Sequence, residues 1–188
     1  KTTVTGGSMT QNVVTSTATY KDMGGAIGVE KSTTVTVSGV TFTENNGGAS
    51  GGAIAAYGVD AVATVENCTF TANKASNGGT FYVGGAGAVT LTGVTVKAST
   101  ASGLGAVAYT TSGSASTLTV NSITLYNNCT DTKTKDSYGF VLLNNAKNVL
   151  NIHKGNFVLK DAQTEETLTI SSWSTLIWNK TNATVNEL

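Results

Sequence analysis

A glycine doublet recurs along this chain too regularly for an ordinary globular core. Gly24-Gly25, Gly51-Gly52 and Gly78-Gly79, then the near-doublets Leu104-Gly105 and Tyr138-Gly139, mark successive units of 27, 27, 26 and 34 residues. Gly6-Gly7 opens an earlier, degenerate unit. Self-similarity at such a period signals a repeat architecture, in which one unit cannot bury its apolar face alone and neighbours must stack.

Three short segments recur within each unit. Val35-Thr36-Val37 aligns with Ala63-Thr64-Val65, Val89-Thr90-Leu91 and Leu118-Thr119-Val120. Five residues later, Val40-Thr41-Phe42 aligns with Cys68-Thr69-Phe70, Val94-Thr95-Val96 and Ile123-Thr124-Leu125. Behind each doublet comes an apolar pair: Ile27/Val29, Ile54/Ala56, Phe81/Val83, Val107/Tyr109 and Val141/Leu143. All three alternate apolar with small polar residues, the period of a strand buried on one face. Thr and Val suit strands and form helices poorly, which agrees.

The pattern predicts an all-β solenoid, a single-stranded parallel β-helix of about six coils of roughly 27 residues with three strands per coil. Like residues then form ladders inside the column. Ile27, Ile54, Phe81, Val107 and Val141 belong to one wall, and Phe42, Phe70, Val96 and Leu125 to another. Gly25, Gly52, Gly79, Gly105 and Gly139 are expected at corners that need positive φ or close backbone approach. Asn45, Asn73 and Asn128 fall in one row, broken by Ser99, and stacked amides can hydrogen-bond up such a ladder.

Charge narrows the function classes. The 11 acidic and 11 basic residues cancel, and every basic residue is Lys. Nucleic-acid binding, which draws on excess Lys and Arg, is not expected, and no basic stripe offers itself to anionic lipid. No apolar run reaches the roughly 18 residues of a bilayer span. Low hydrophobicity with high net charge, the mark of disorder, is also missing.

The tetrapeptides Gly24-Gly25-Ala26-Ile27 and Gly51-Gly52-Ala53-Ile54, followed by Phe42-Thr43-Glu44-Asn45 and Phe70-Thr71-Ala72-Asn73, resemble the chlamydial polymorphic membrane protein repeat, marked by Gly-Gly-Ala-Ile and Phe-x-x-Asn. The match covers Gly24 to Asn77 and fades afterwards. The resemblance implies a right-handed parallel β-helix displayed outside the cell in a surface adhesin.

Candidate chemistry is sparse. Outward Thr rows are the most regular exposed feature: Thr36, Thr64, Thr90 and Thr119, then Thr41, Thr69, Thr95 and Thr124. Regular hydroxyls suggest ice binding, but the Thr-x-Thr array beside Thr41 holds only at Thr43 and Thr71 before Lys97 and Tyr126 replace it. Polysaccharide lyases and hydrolases on this fold need clustered acids. Here only Asp131/Asp136 and Asp161/Glu165/Glu166 are local, in Lys-containing corners, while Asp22, Glu30, Glu44, Asp60, Glu66 and Glu187 are scattered. His153 beside apolar Ile152 reads as outward-facing, and one histidine makes no metal site. Gly84-Gly85-Ala86-Gly87 has Val89 where a calcium nonapeptide needs Asp, and no glycine cluster continues into the Lys-Ser/Thr of a phosphate loop. No cofactor or metal is expected.

Cys68 occupies the inward position of Val40, Val94 and Ile123 and reads as a small core hydrophobe. Cys129 sits in the long corner after Tyr126, two coils away, too far for an internal disulfide. Four sequons occur, at Asn67, Asn128, Asn179 and Asn182, with Asn67 and Asn128 at exposed corners the better glycosylation candidates. Leu168 and Ile170 suit a final strand. Trp173 and Trp178 then crowd a segment, 171–188, expected either to cap the last coil or to contact a neighbouring subunit.

The domain expectation is one β-helix over 1–188, a segment of a longer chain whose residues 1–23 form another coil. The functional expectation is a non-catalytic, extracellular or cell-surface structural or adhesive protein, an adhesin or a subunit of a filament or coat. It would contact protein or glycan surfaces and assemble end to end. The alternatives are a carbohydrate-active enzyme on the same fold and, as a minor one, an ice-binding protein.

Overall fold

The computed structural model describes residues 1–15, 23–132 and 139–188. Asp22, Asp136 and Tyr138 lie outside the described residues. The chain winds as a parallel β-helix with three long walls. The first wall has seven strands, Thr2–Thr5, Thr34–Ser38, Val62–Glu66, Ala88–Thr92, Thr117–Val120, Val149–Ile152 and Thr184–Glu187. The second runs Ser8–Thr10, Thr41–Thr43, Thr69–Thr71, Val94–Lys97, Ile123–Tyr126 and Phe157–Lys160, and ends on the antiparallel Thr167–Leu168. The third has six strands, Ile27–Glu30, Ile54–Tyr57, Phe81–Gly84, Ala108–Thr110, Val141–Leu143 and Ile177–Asn179. A short fourth wall, unforeseen in the sequence, joins Lys74–Asn77, Thr100–Leu104 and Thr130–Asp131.

Pairing one strand with its copy a coil later puts like residues over each other, and the core is a column of such stacks. Val40, Cys68, Val94 and Ile123 are all buried in it. Phe42 lies over Phe70 in register, their rings parallel at 4.7 Å, close to the roughly 4.8 Å between hydrogen-bonded strands. Val96 and Leu125 continue that stack. Phe81 closes onto Phe70 edge to face at 4.8 Å.

The third wall departs from the expected ladder by one residue. Ile27, Ile54 and Phe81 stack, but the next members are Ala108, Val141 and Ile177. Val107 is fully buried one place earlier. The same slip puts Tyr109 on the outer side of the wall beside Tyr82, in a second buried cluster with Ala55 and Leu142. The corner glycines explain it. Gly24, Gly51 and Gly78 hold φ of 76°, 67° and 65°, and Gly105, at 68°, is their counterpart, not that of Gly79. Gly25, Gly52 and Gly79 are needed for a different reason. A Cβ on Gly52 would lie 1.9 Å from the Gly79 carbonyl oxygen. In the fourth coil Ala106 holds that second position, and Gly139 holds it in the fifth.

The asparagine ladder also differs. Asn12, Asn45 and Asn73 stack, with Asn12 Nδ2 donating to Asn45 Oδ1 at 2.8 Å and Asn45 Nδ2 to Asn73 Oδ1 at 2.9 Å. Thr130 pairs with Thr100, and Thr100 with Lys74, so Cys129 stands in register with Ser99 and Asn73. The fourth repeat spends one extra residue before this corner, which moves Asn128 out to the exposed surface and carries Cys129 into the core. Reading Cys129 as a corner residue is thereby corrected.

The end of the chain is corrected too. Thr167–Leu168 folds back against Leu159 and Lys160 instead of forming another parallel strand. Residues 171–188 do not lie across the column as a cap. Ile177–Asn179 pairs in parallel with Val141–Leu143, and Thr184–Glu187 with Val149–Ile152. Trp173 packs edge to face on Phe157 at 5.2 Å, whereas Trp178, in the outer row over Leu142, is 41% exposed.

Candidate functional site: outward rows and lateral grooves

Strand alternation sends every second residue outward, and the parallel register aligns those residues along the column. On the first wall the central outer row is Thr3, Thr36, Thr64, Thr90, Thr119, Asn151 and Asn186. At its lower end Asn186 Nδ2 donates to Asn151 Oδ1 at 2.9 Å, and Asn151 Nδ2 to Thr119 Oγ1 at 3.2 Å. Beside it Asn121 Nδ2 donates to Thr92 Oγ1 at 3.0 Å. The amides thus extend the hydroxyl row without adding charge.

The second wall begins alike and changes character. One outer row is Ser8, Thr41, Thr69, Thr95, Thr124 and Val158; the other is Thr10, Thr43, Thr71, Lys97, Tyr126 and Lys160. Ser8-x-Thr10 adds a coil to the Thr-x-Thr array, which stops at Thr71. Below it Lys97 Nζ lies 4.0 Å from the Tyr126 ring centre and 2.9 Å from Glu165 Oε1.

The acids with local company are held in turns. Asp161 Oδ1 accepts the N–H groups of Gln163 at 2.8 Å and Thr164 at 2.9 Å, and Oδ2 accepts Asn127 Nδ2 at 3.0 Å. Those backbone donors, first Thr164 and then Gln163, hold the Asp161 carboxyl below its ordinary range. Lys97 does the same for Glu165. Asp131 is buried and accepts the Gly105 N–H at 3.1 Å. His153 is half-buried beside the buried Ile152. Among the described residues no three His, Cys, Asp or Glu side chains are grouped to hold a metal.

Both cysteines are buried free thiols. Cys68 Sγ accepts the Val40 N–H at 3.4 Å and donates to the Glu66 carbonyl at 3.2 Å. Burial pushes the Cys129 thiol up to about 12.

The sequons separate by geometry. Asn67 and Asn182 are exposed with φ of 51° and 57°. Asn128 is exposed, its Oδ1 accepting the Ala98 N–H at 2.9 Å. Asn179 is spent internally, donating to the Ala183 carbonyl at 2.8 Å and accepting its N–H at 2.7 Å.

Concave features are shallow. One groove, about 350 Å³, runs along the corner between the first two walls beside Gly93, Ser122, Gly155 and Asn156. An apolar recess of about 170 Å³ lies between Leu159, Leu168, Ile170 and Leu176 at the end of the column. A third groove, about 180 Å³, lies on the fourth wall beside Lys74. The residue missed in the sequence was Asn12. Its signal was there: it follows Met9 by three residues, as Asn45 follows Phe42.

No protein-family model, curated protein or solved structure matches this sequence.

Proposed function

We propose that this chain is a non-catalytic segment of an extracellular structural or adhesive protein, a rigid rod presenting uncharged hydroxyl and amide rows to protein or glycan surfaces. The observation that carries this reading is the outer row from Thr3 to Asn186, continuous over seven registered strands. Such rows offer donors and acceptors at one repeat along a stiff axis, and stacking further units lengthens the surface. The likeness of Gly24-Gly25-Ala26-Ile27 and Phe42-x-x-Asn45 to a surface-adhesin repeat points the same way. No helix among the described residues is long and apolar enough to cross a membrane.

A rival glycoside hydrolase would need a carboxyl held protonated as general acid. Asp161 and Glu165 are pushed the opposite way, by turn amides and by Lys97. An ice-binding face is less favoured because Lys97, Tyr126 and Lys160 break the second-wall array.

The test incubates the protein with a panel of neutral and acidic polysaccharides, measures new reducing or unsaturated ends, and measures retention on the same polymers. Retention without bond cleavage is expected. Turnover that disappears in Asp161→Asn or Asp131→Asn assigns the enzyme instead.

A further inference from the structure

The short fourth wall is the place where this column departs from its own regularity. Its Thr100–Leu104 strand pairs with Lys74–Asn77 at Thr100 and Ala101, then shifts register before Leu104. Such irregularities bend a strand locally and commonly accompany sites, because they re-aim side chains. Gly103 sits in the break, where a Cβ would lie 2.5 Å from the Ser76 carbonyl oxygen and 2.7 Å from Asn77 Oδ1. The chain therefore lies close against the neighbouring coil, and a groove of about 180 Å³ opens on the outer surface.

The polar lining of that groove is Asn46, Lys74, Ser76, Thr100 and Ser102. Among the described residues no carboxylate lines it. Asn46 Oδ1 already accepts the Gly48 N–H at 3.0 Å, and the same amide carries two N–H donors. Lys74 is exposed, and among the described residues no acid stands within ion-pair distance of it. Lys97 and Lys154, by contrast, are paired with Glu165 and Glu187. A lysine has three N–H donors and no acceptor, and each hydroxyl can donate as well. The groove thus presents a cation and a set of donors, and the complementary ligand carries a negative oxygen group flanked by further oxygens.

We infer that the groove around Lys74 binds an oxyanion, a carboxylate or a sulfate ester, on an acidic polysaccharide. Lys74 takes the charge; Asn46, Ser76, Thr100 and Ser102 take the oxygens of the sugar that bears it. This rests on the surface-binding reading above and names the ligand class for one part of that surface.

The full chain is passed over immobilised polygalacturonate, dextran sulfate and neutral dextran at rising salt, with the variants Lys74→Gln, Lys74→Arg and Lys147→Gln. Each variant's circular dichroism and unfolding midpoint are checked first. Expected is retention on at least one acidic polymer but not on dextran, weakening as salt rises. Lys74→Gln should lower affinity about tenfold, the usual worth of a hydrogen bond to a charged group. Lys74→Arg should keep most of the binding, and Lys147→Gln, at a different corner, all of it. Preference between the two acidic polymers tells carboxylate from sulfate. The inference is overturned if Lys74→Gln binds as the wild type does. Equal retention on dextran overturns it too, as does release by inorganic sulfate at the same sulfate concentration, the behaviour of an adventitious ion only. Binding to neutral glycans alone sinks the groove assignment and leaves the surface-binding reading standing. No retention on any polymer overturns the groove inference and the glycan half of the surface-binding reading, leaving protein surfaces as its partner.

Discussion

Asn73 Oδ1 receives both the backbone N–H and the side-chain Nδ2 of Asn45, at 3.0 and 2.9 Å, while Asn73 Nδ2 donates to the Phe42 carbonyl at 3.0 Å. One amide ties two coils together at a corner where strand pairing stops, and both residues are fully buried. Each bond it makes satisfies a group that water cannot reach.

Asn73→Ala should therefore lower stability by about 3 kcal/mol, because it leaves the Asn45 N–H and the Phe42 carbonyl unpaired. Urea unfolding of the two proteins measures this. A loss below about 1 kcal/mol, the size of a single ordinary hydrogen bond, would show that the ladder is not a fastener.

Two glycine replacements should diverge. Gly52→Ala places a methyl group 1.9 Å from the Gly79 carbonyl oxygen, backbone against backbone, and should cost about 4 kcal/mol or leave the protein insoluble. At Gly113 φ is 98°, yet nothing lies within 4 Å of the added carbon, so Gly113→Ala should cost about 1 kcal/mol of strain. Thermal midpoints of the pair check the contrast, and equal shifts would refute it.

Cys129 links stability to alkaline pH. Its thiol ionises near 9.0 when unfolded and at about 12 when folded, because burial disfavours the thiolate. Between those values the unfolded state holds fewer protons, so the stability contributed by the neutral thiol, intact below pH 9, is lost as pH rises toward 12. Cys129→Ala should flatten the decline of wild-type stability over that window. Identical pH profiles would count against the buried thiol as its source.

The hairpin that returns the chain after Lys160 has the opposite dependence. Asp161 and Glu165 titrate below their ordinary 3.8 and 4.5, so their contribution is present above those values and vanishes as pH falls through the lowered ones. The amide proton resonances of Gln163 and Thr164 should move with a midpoint under 3.8. A midpoint at or above it would mean that Asp161 does not hold the turn in solution.

Much of the candidate surface was legible in the sequence. The Thr36, Thr64, Thr90 and Thr119 row follows from alternation and repeat length, and its first member, Thr3, lies in the coil read from residues 1–23. The groove at Lys74 was not legible, because it depends on a register break between two short strands rich in Ala and Ser, where alternation carries little contrast. Val107 and Asn128 were misplaced for a related reason. One residue more or less at a corner leaves the motif spelling intact while moving every following side chain to the other face of the strand.

The solenoid itself was written in periodicity. Glycine doublets at a near-constant interval, with three alternating segments between them, admit few ways to bury apolar faces other than stacking copies, because no unit can do so alone. What needed the folded chain was register at the corners, where backbone close approach and positive φ choose which residue turns. There the gain is settled by contacts between coils some 30 residues apart, such as Asn45 with Asn73 or Cys129 behind Ser99, and no local window of sequence contains both partners.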